Sequence, residues 1–86
     1  MLNVTKTENF NGVKNQFLIS TNDGLYLQSY NSIIAFKSKD GKTYLDDYYW
    51  DYSKTTGKYR NMFLNETKKE TENKIKNGTY ILTNLN

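Results

Sequence analysis

Between Val13 and Asp46 apolar and polar positions alternate with a period of two and are broken at short intervals by turn residues, which predicts antiparallel strands rather than helices. Val13, Asn15, Phe17 and Ile19 fall on one face, and Lys14, Gln16, Leu18 and Ser20 on the other. Asn22-Asp23-Gly24 supplies a hairpin turn in which the glycine accepts positive φ. Tyr26-Leu27-Gln28 returns, Tyr30-Asn31-Ser32 turns again, and Ile33 to Lys37 is the most apolar strand. Asp40-Gly41, between Phe36 and Tyr44, is a second strong hairpin signal. Together these predict a four-stranded meander.

Helical chemistry begins only after Asn65. Thr67 and Glu70 have capping-box spacing, Glu70 with Lys74 and Glu72 with Lys76 are i, i+4 pairs, and Gly78 stands where a left-handed residue ends a helix. A helix over 66–77 follows, with a thin apolar face of Leu64, Thr71 and Ile75 that suits it to covering one side of a sheet. Tyr80-Ile81-Leu82 reads as a final strand. Between Ser53 and Phe63 the signals conflict: Tyr59, Met62 and Phe63 have helical spacing, while Thr55-Thr56-Gly57 argues for a loop entering a short helix. The expected fold is a single α+β domain over 1–86, with a small antiparallel sheet of four to five strands, one main C-terminal helix and a short second one. The first ten residues, with no periodicity, are expected to fray.

Size and composition narrow the chemistry. At 86 residues the chain is near the lower end of what folds on one core, and without Cys it has no disulfide to help, so its 13 aromatic residues, 15% of the chain, must supply much of the buried area. Zero Cys and zero His exclude thiol redox chemistry, Cys or His zinc ligation and any triad needing an imidazole. The amino terminus carries no apolar run of signal or membrane-span length, so a soluble, cytoplasmic protein with no membrane partner is expected. Residues 1–50 hold five lysines and five acids, whereas 51–86 hold seven cations against four acids. The net charge of +3 therefore lies wholly after Trp50, a mild bias well short of a nucleic-acid arm.

The candidate chemistry concentrates in YLDDYYWDYSKTTGKYR, residues 44–60, whose first nine positions hold five aromatics and three aspartates. Clustered carboxylates can hold Mg²⁺, but the adjacent Asp46 and Asp47 point to opposite faces of a strand and read as a solvated strand end. Asp40-Gly41-Lys42, with Asp23 upstream, has the acid-x-Lys spacing of metal-dependent nucleases, yet both acids lie in hairpin turns where Asp serves the backbone. Thr56-Gly57-Lys58 lacks the upstream glycine of a phosphate-binding loop, position 52 being Tyr. No catalytic residue, metal or cofactor is expected, and the chain reads as a non-enzyme. What stays is a partner-binding surface of Tyr48, Tyr49, Trp50, Tyr52, Lys54, Lys58, Tyr59 and Arg60, residue types that anchor protein interfaces and also stack bases. Part of this set must fill the core of so small a domain. Asp46, Asp47 and Asp51 weigh against a nucleic-acid backbone and towards a protein partner.

The run YYWDYSKTTGKYRNMFL, followed by KKETENKIKNGTYILTNLN, resembles a family of small uncharacterised proteins encoded by phages and prophages of low-GC Gram-positive bacteria, over about Gly24 to Asn86. The resemblance carries no assigned functional residues. By analogy with other small phage products, including anti-CRISPR proteins, it implies inhibition of a host protein, such as a defence nuclease complex, by occlusion. A charge of +3 does not suit DNA mimicry. A nucleic-acid-binding accessory protein is the alternative, and self-association as a homodimer stays open in either reading.

Overall fold

A computed structural model describes residues 4–86. Six strands form one sheet in sequential order: β1 (Val4–Asn9), β2 (Gln16–Thr21), β3 (Gly24–Ser29), β4 (Ser32–Ser38), β5 (Thr43–Asp46) and β6 (Tyr80–Thr83). Two helices, α1 (Lys54–Leu64) and α2 (Lys68–Lys76), lie between β5 and β6. The four predicted strands are β2 to β5, and the turns fall at Asn22-Asp23, Tyr30-Asn31 and around Gly41.

The expectations fail at four places. Residues 4–9, expected to fray, form an edge strand paired with β2, giving six strands rather than four to five. Every residue of β1 is exposed, so backbone pairing holds it and no apolar alternation marks it. β6 pairs with β5 in parallel, so the sheet is not wholly antiparallel. That follows from the connection: a parallel neighbour needs a crossover, and the two helices supply it. Thr55-Thr56-Gly57 is the first turn of α1 rather than a loop, because Ser53 caps the helix by accepting from the Thr56 amide. α1, not the expected 66–77 helix, is the main cover of the sheet. It buries Arg60, Phe63 and Leu64, whereas Thr71 is the one fully buried residue of α2.

Cross-strand partners share a face, so Leu18, Leu27, Ala35, Leu45 and Leu82 form one row. Phe63 and Leu64 pack there with Leu27, Ile34, Ala35, Leu45 and Tyr80, the centre of the core. A bulge in β4, where Leu27 faces Ala35 and Gln28 faces Ile33, adds Ile34 to the same core cluster. The Lys37 ammonium crosses from β4 to donate to the Phe63 carbonyl at 2.6 Å and lies 4.5 Å from the Phe63 ring, closing the end of α1. On the opposite face Tyr26, Phe36 and Tyr44 stack in a ladder with centroids 4.1 and 5.9 Å apart.

α2 starts at the predicted capping box, with Thr67 and Glu70 exchanging hydrogen bonds, and Gly78 has φ 82°. Neither predicted i, i+4 pair is among the ion pairs of the described residues. Glu70 turns back to the cap, and Lys74 instead meets Glu66 at 2.6 Å. Glu66, with its side chain 3% exposed, also accepts from the Thr71 and Tyr80 hydroxyls at 2.6 and 2.8 Å, tying α2 to β6. Burial opposes ionisation of Glu66, but the bonds from Lys74, Thr71 and Tyr80 outweigh it and hold the carboxyl below its ordinary range.

Candidate interaction surface

The 44–60 run is organised by Asp46. Expected to be solvated, Asp46 is buried at the end of β5. One carboxylate oxygen accepts from the Tyr48 and Tyr49 amides at 3.1 and 2.8 Å, and the other from the Leu85 amide and the Asn86 side chain at 2.8 and 3.0 Å. Burial raises the cost of its charge, but these four bonds together hold its carboxyl below the usual range. It thus fixes the tight turn that aims the tyrosines and clamps the C-terminal residues. Asn86 continues this clamp through paired hydrogen bonds to the Ile33 backbone.

Downstream of Asp46 the eight predicted site residues separate into three groups. Tyr48, Tyr49 and Tyr52 come together, with ring centroids 4.7 to 5.9 Å apart. Tyr49 and Tyr52 line a pit of about 340 Å³ with Tyr30, Ile34 and Thr56. Tyr48, Tyr52 and Tyr30 are 67%, 62% and 54% exposed. No lysine or arginine lines this pit among the described residues. Trp50 and Tyr59 are half-buried: Trp50 packs against the core, and Tyr59 meets Phe10 edge-on at 6.3 Å.

The third group is Lys54, Lys58 and Arg60, and here the expectation needs correcting. Arg60 is 1% exposed and is not a surface contact. Its guanidinium lies 5.2 Å from the Trp50 ring, donates to the Trp50 carbonyl at 2.7 Å and to Asp51 at 3.2 Å, and reaches the Asn61 side chain at 2.9 Å. Asp51 also pairs with Lys68 at 2.7 Å. Burial works against the Asp51 charge, but Lys68 and Arg60 hold its carboxyl below its usual range. With Asp46 turned inward and Asp51 paired, only Asp47 of the three aspartates has an exposed carboxylate without a hydrogen-bond or ion-pair partner among the described residues. Of the negative charge that weighed against a nucleic-acid backbone, that of Asp46 is buried, that of Asp51 is paired with Arg60 and Lys68 at the surface, and that of Asp47 stays exposed. Lys54 and Lys58 remain exposed on α1.

Two features escape the sequence reading. Tyr30, taken only as a turn residue, joins the tyrosine pit and holds φ 55°, a left-handed conformation costing a bulky side chain about 1–2 kcal/mol. The available signal is its place in a two-residue turn, where Asn or Gly is the usual choice. The Tyr26-Phe36-Tyr44 ladder lies in a groove of about 530 Å³ with Leu85. Its signal was present in the strand alternation, since β3 and β4 carry apolar residues on both faces. Burial first, then the Asp23 carboxylate, raises the Tyr26 hydroxyl above its ordinary value.

Among the described residues no group of three or more metal-ligating side chains comes together, and no helix is long and apolar enough to cross a membrane. A family of unknown function, DUF8033, matches residues 2–78. The chain belongs to this family. The match takes in β1 as well as the 44–60 run and both helices. No curated protein and no solved structure matches the chain.

Proposed function

We propose that this DUF8033 protein is a binding protein that works by occluding a protein partner, with the pit lined by Tyr30, Tyr49 and Tyr52, and Tyr48 packed against the last two, as its contact surface. The observation that carries the reading is the exposure of Tyr30 and Tyr52, 54% and 62%, on the lining of one concave site, with Tyr48, 67% exposed, in ring contact with Tyr49 and Tyr52. Tyrosines bury large area on binding at small entropic cost and keep a hydroxyl for hydrogen bonding, so an exposed cluster around a pit is what an interface hot spot needs. The left-handed Tyr30 adds to this, because strain of this kind concentrates at functional sites. The reading is also supported by the lack of lining cations, which suits an apolar or aromatic anchor better than a phosphate backbone.

The setting in which we place this activity is the one implied by the sequence resemblance: a phage product that inhibits or redirects a host protein, such as a defence nuclease, inside a bacterial cell. The experiment is affinity capture from a Gram-positive bacterial lysate, with and without nuclease digestion, using the protein and its Tyr48→Ala/Tyr52→Ala variant as parallel baits. Retention of one protein or complex after digestion by the first bait only is the expected result. Retention abolished by digestion would replace the reading with nucleic-acid binding.

A further inference from the structure

A separate cleft of about 700 Å³ opens between α1, along Lys54 to Asn61, and the start of α2. Of its eight lining residues, four are cations (Lys54, Lys58, Arg60, Lys68), one is the acid Asp51, and the others are Ser53, Gly57 and Asn61. We propose that this cleft is a binding site for a phosphate group, held by Lys54 and Lys58 with Lys68 and the buried Arg60 behind them.

Three observations converge on an anion. Asp51 pairs with Arg60 and Lys68 at 3.2 and 2.7 Å, so these two cations already hold one oxyanion and the charge left for a second is that of Lys54 and Lys58. Arg60, only 1% exposed, lines the cleft and adds a buried positive charge beside it. Lastly, α1 begins against its own dipole. Its first residue is Lys54, Lys58 follows one turn later about 6 Å along the axis, and no acid occupies the first turn. Neither lysine makes an ion pair among the described residues, so the helix start carries positive charge that a bound anion would relieve.

The lining also says which part of a ligand is read. No aromatic or aliphatic side chain lines the cleft among the described residues, so nothing there stacks a base or takes an acyl chain. Recognition is of the phosphate, whether a free phosphate monoester or a phosphodiester backbone. Gly57 fits this use. It is a mid-helix residue without positive φ, and a Cβ there would meet Arg60 only at ordinary contact distance, 3.6 Å, so neither backbone nor packing demands a glycine. Its missing side chain leaves the wall between Lys54 and Lys58 low.

The site shares only Ser53 with the lining of the tyrosine pit, and its test separates the two. The folded protein is titrated with inorganic phosphate and, in a second arm, with an eight-residue oligothymidylate, at ionic strength matched with chloride, following melting temperature and backbone amide resonances. The expected result is a saturable rise in melting temperature with shifts at Gly57, Lys58 and Asn61. Lys54→Gln/Lys58→Gln should weaken binding by about tenfold or more. The same variant should melt higher than wild type without ligand, because it removes unfavourable charge from the helix start. Tyr48→Ala/Tyr52→Ala should leave the response unchanged. An oligonucleotide that binds more tightly and competes with phosphate identifies a phosphodiester source; binding of phosphate alone identifies a monoester. No saturable response to either probe, or one that survives in the double-lysine variant, overturns the proposal.

Discussion

Asp46 and Arg60 stand fourteen positions apart in the most interaction-like stretch of the chain, yet both point inward and hold the fold. Asp46→Asn would keep one acceptor oxygen and set an amide donor against two others, so a loss of about 3 kcal/mol in urea unfolding is expected. Asp46, Asp51 and Glu66 all titrate lower in the folded chain than in the unfolded one. The folded state therefore binds their protons more weakly. Their stabilisation is complete above the unfolded carboxylate range, near pH 4, and is lost as pH falls through the folded values. Unfolding measured from pH 7 to pH 2 should show that acid limb, and it should be shallower in Asp46→Asn. Tyr30 behaves in the opposite way to these structural residues. Tyr30→Asn relieves a left-handed tyrosine and should raise stability by up to about 1 kcal/mol, while weakening partner binding if the pit is the interface. None of these roles can be read from residue type, since an Asp that accepts four hydrogen bonds and one that meets solvent look alike in sequence. What separates them is the C-terminal segment returning to β5, a contact over about forty positions.

At the scale of elements, local signals succeed where chemistry is local and fail where pairing decides. The hairpins at Asn22-Asp23-Gly24 and Asp40-Gly41 and the capping box at Thr67 and Glu70 were legible because each is satisfied within four residues. β1 was not, because an exposed edge strand needs only a neighbour to pair with. The parallel register of β6 was hidden for the same reason, being fixed by the length of the helical crossover rather than by residues 80–83. α1 was obscured by Thr55, Thr56 and Gly57, poor helix formers that tertiary burial overrides. Gly57→Ala should consequently stabilise the protein by up to about 1 kcal/mol, read as a higher melting temperature, because the added methyl finds only ordinary contacts. Ser53→Ala removes the cap and should cost about 1 kcal/mol.

Across the whole molecule the 44–60 run is one continuous stretch of sequence but three environments: a tie of the buried Asp46 and Arg60 with the half-buried Trp50, a tyrosine pit, and a basic cleft. Composition singled out this aromatic and charged stretch, and the absence of Cys and His excludes thiol redox chemistry, Cys or His zinc ligation and imidazole triads. Which side chains face water depended on the fold. The division gives opposite expectations for substitutions eight positions apart. Tyr52→Ala should change stability by no more than about 0.5 kcal/mol, whereas Arg60→Ala, which empties a buried site, leaves the Trp50 carbonyl without its donor and leaves Asp51 with Lys68 alone, should cost about 3 kcal/mol or more. The most direct measurement is calorimetric titration of a captured partner, once purified, with the protein and with Tyr48→Ala/Tyr52→Ala, each variant first matched to wild type in melting temperature. A folded double variant that binds at least about thirtyfold more weakly is the predicted result. A folded double variant that binds as tightly as wild type would show that the tyrosine pit is not the contact surface.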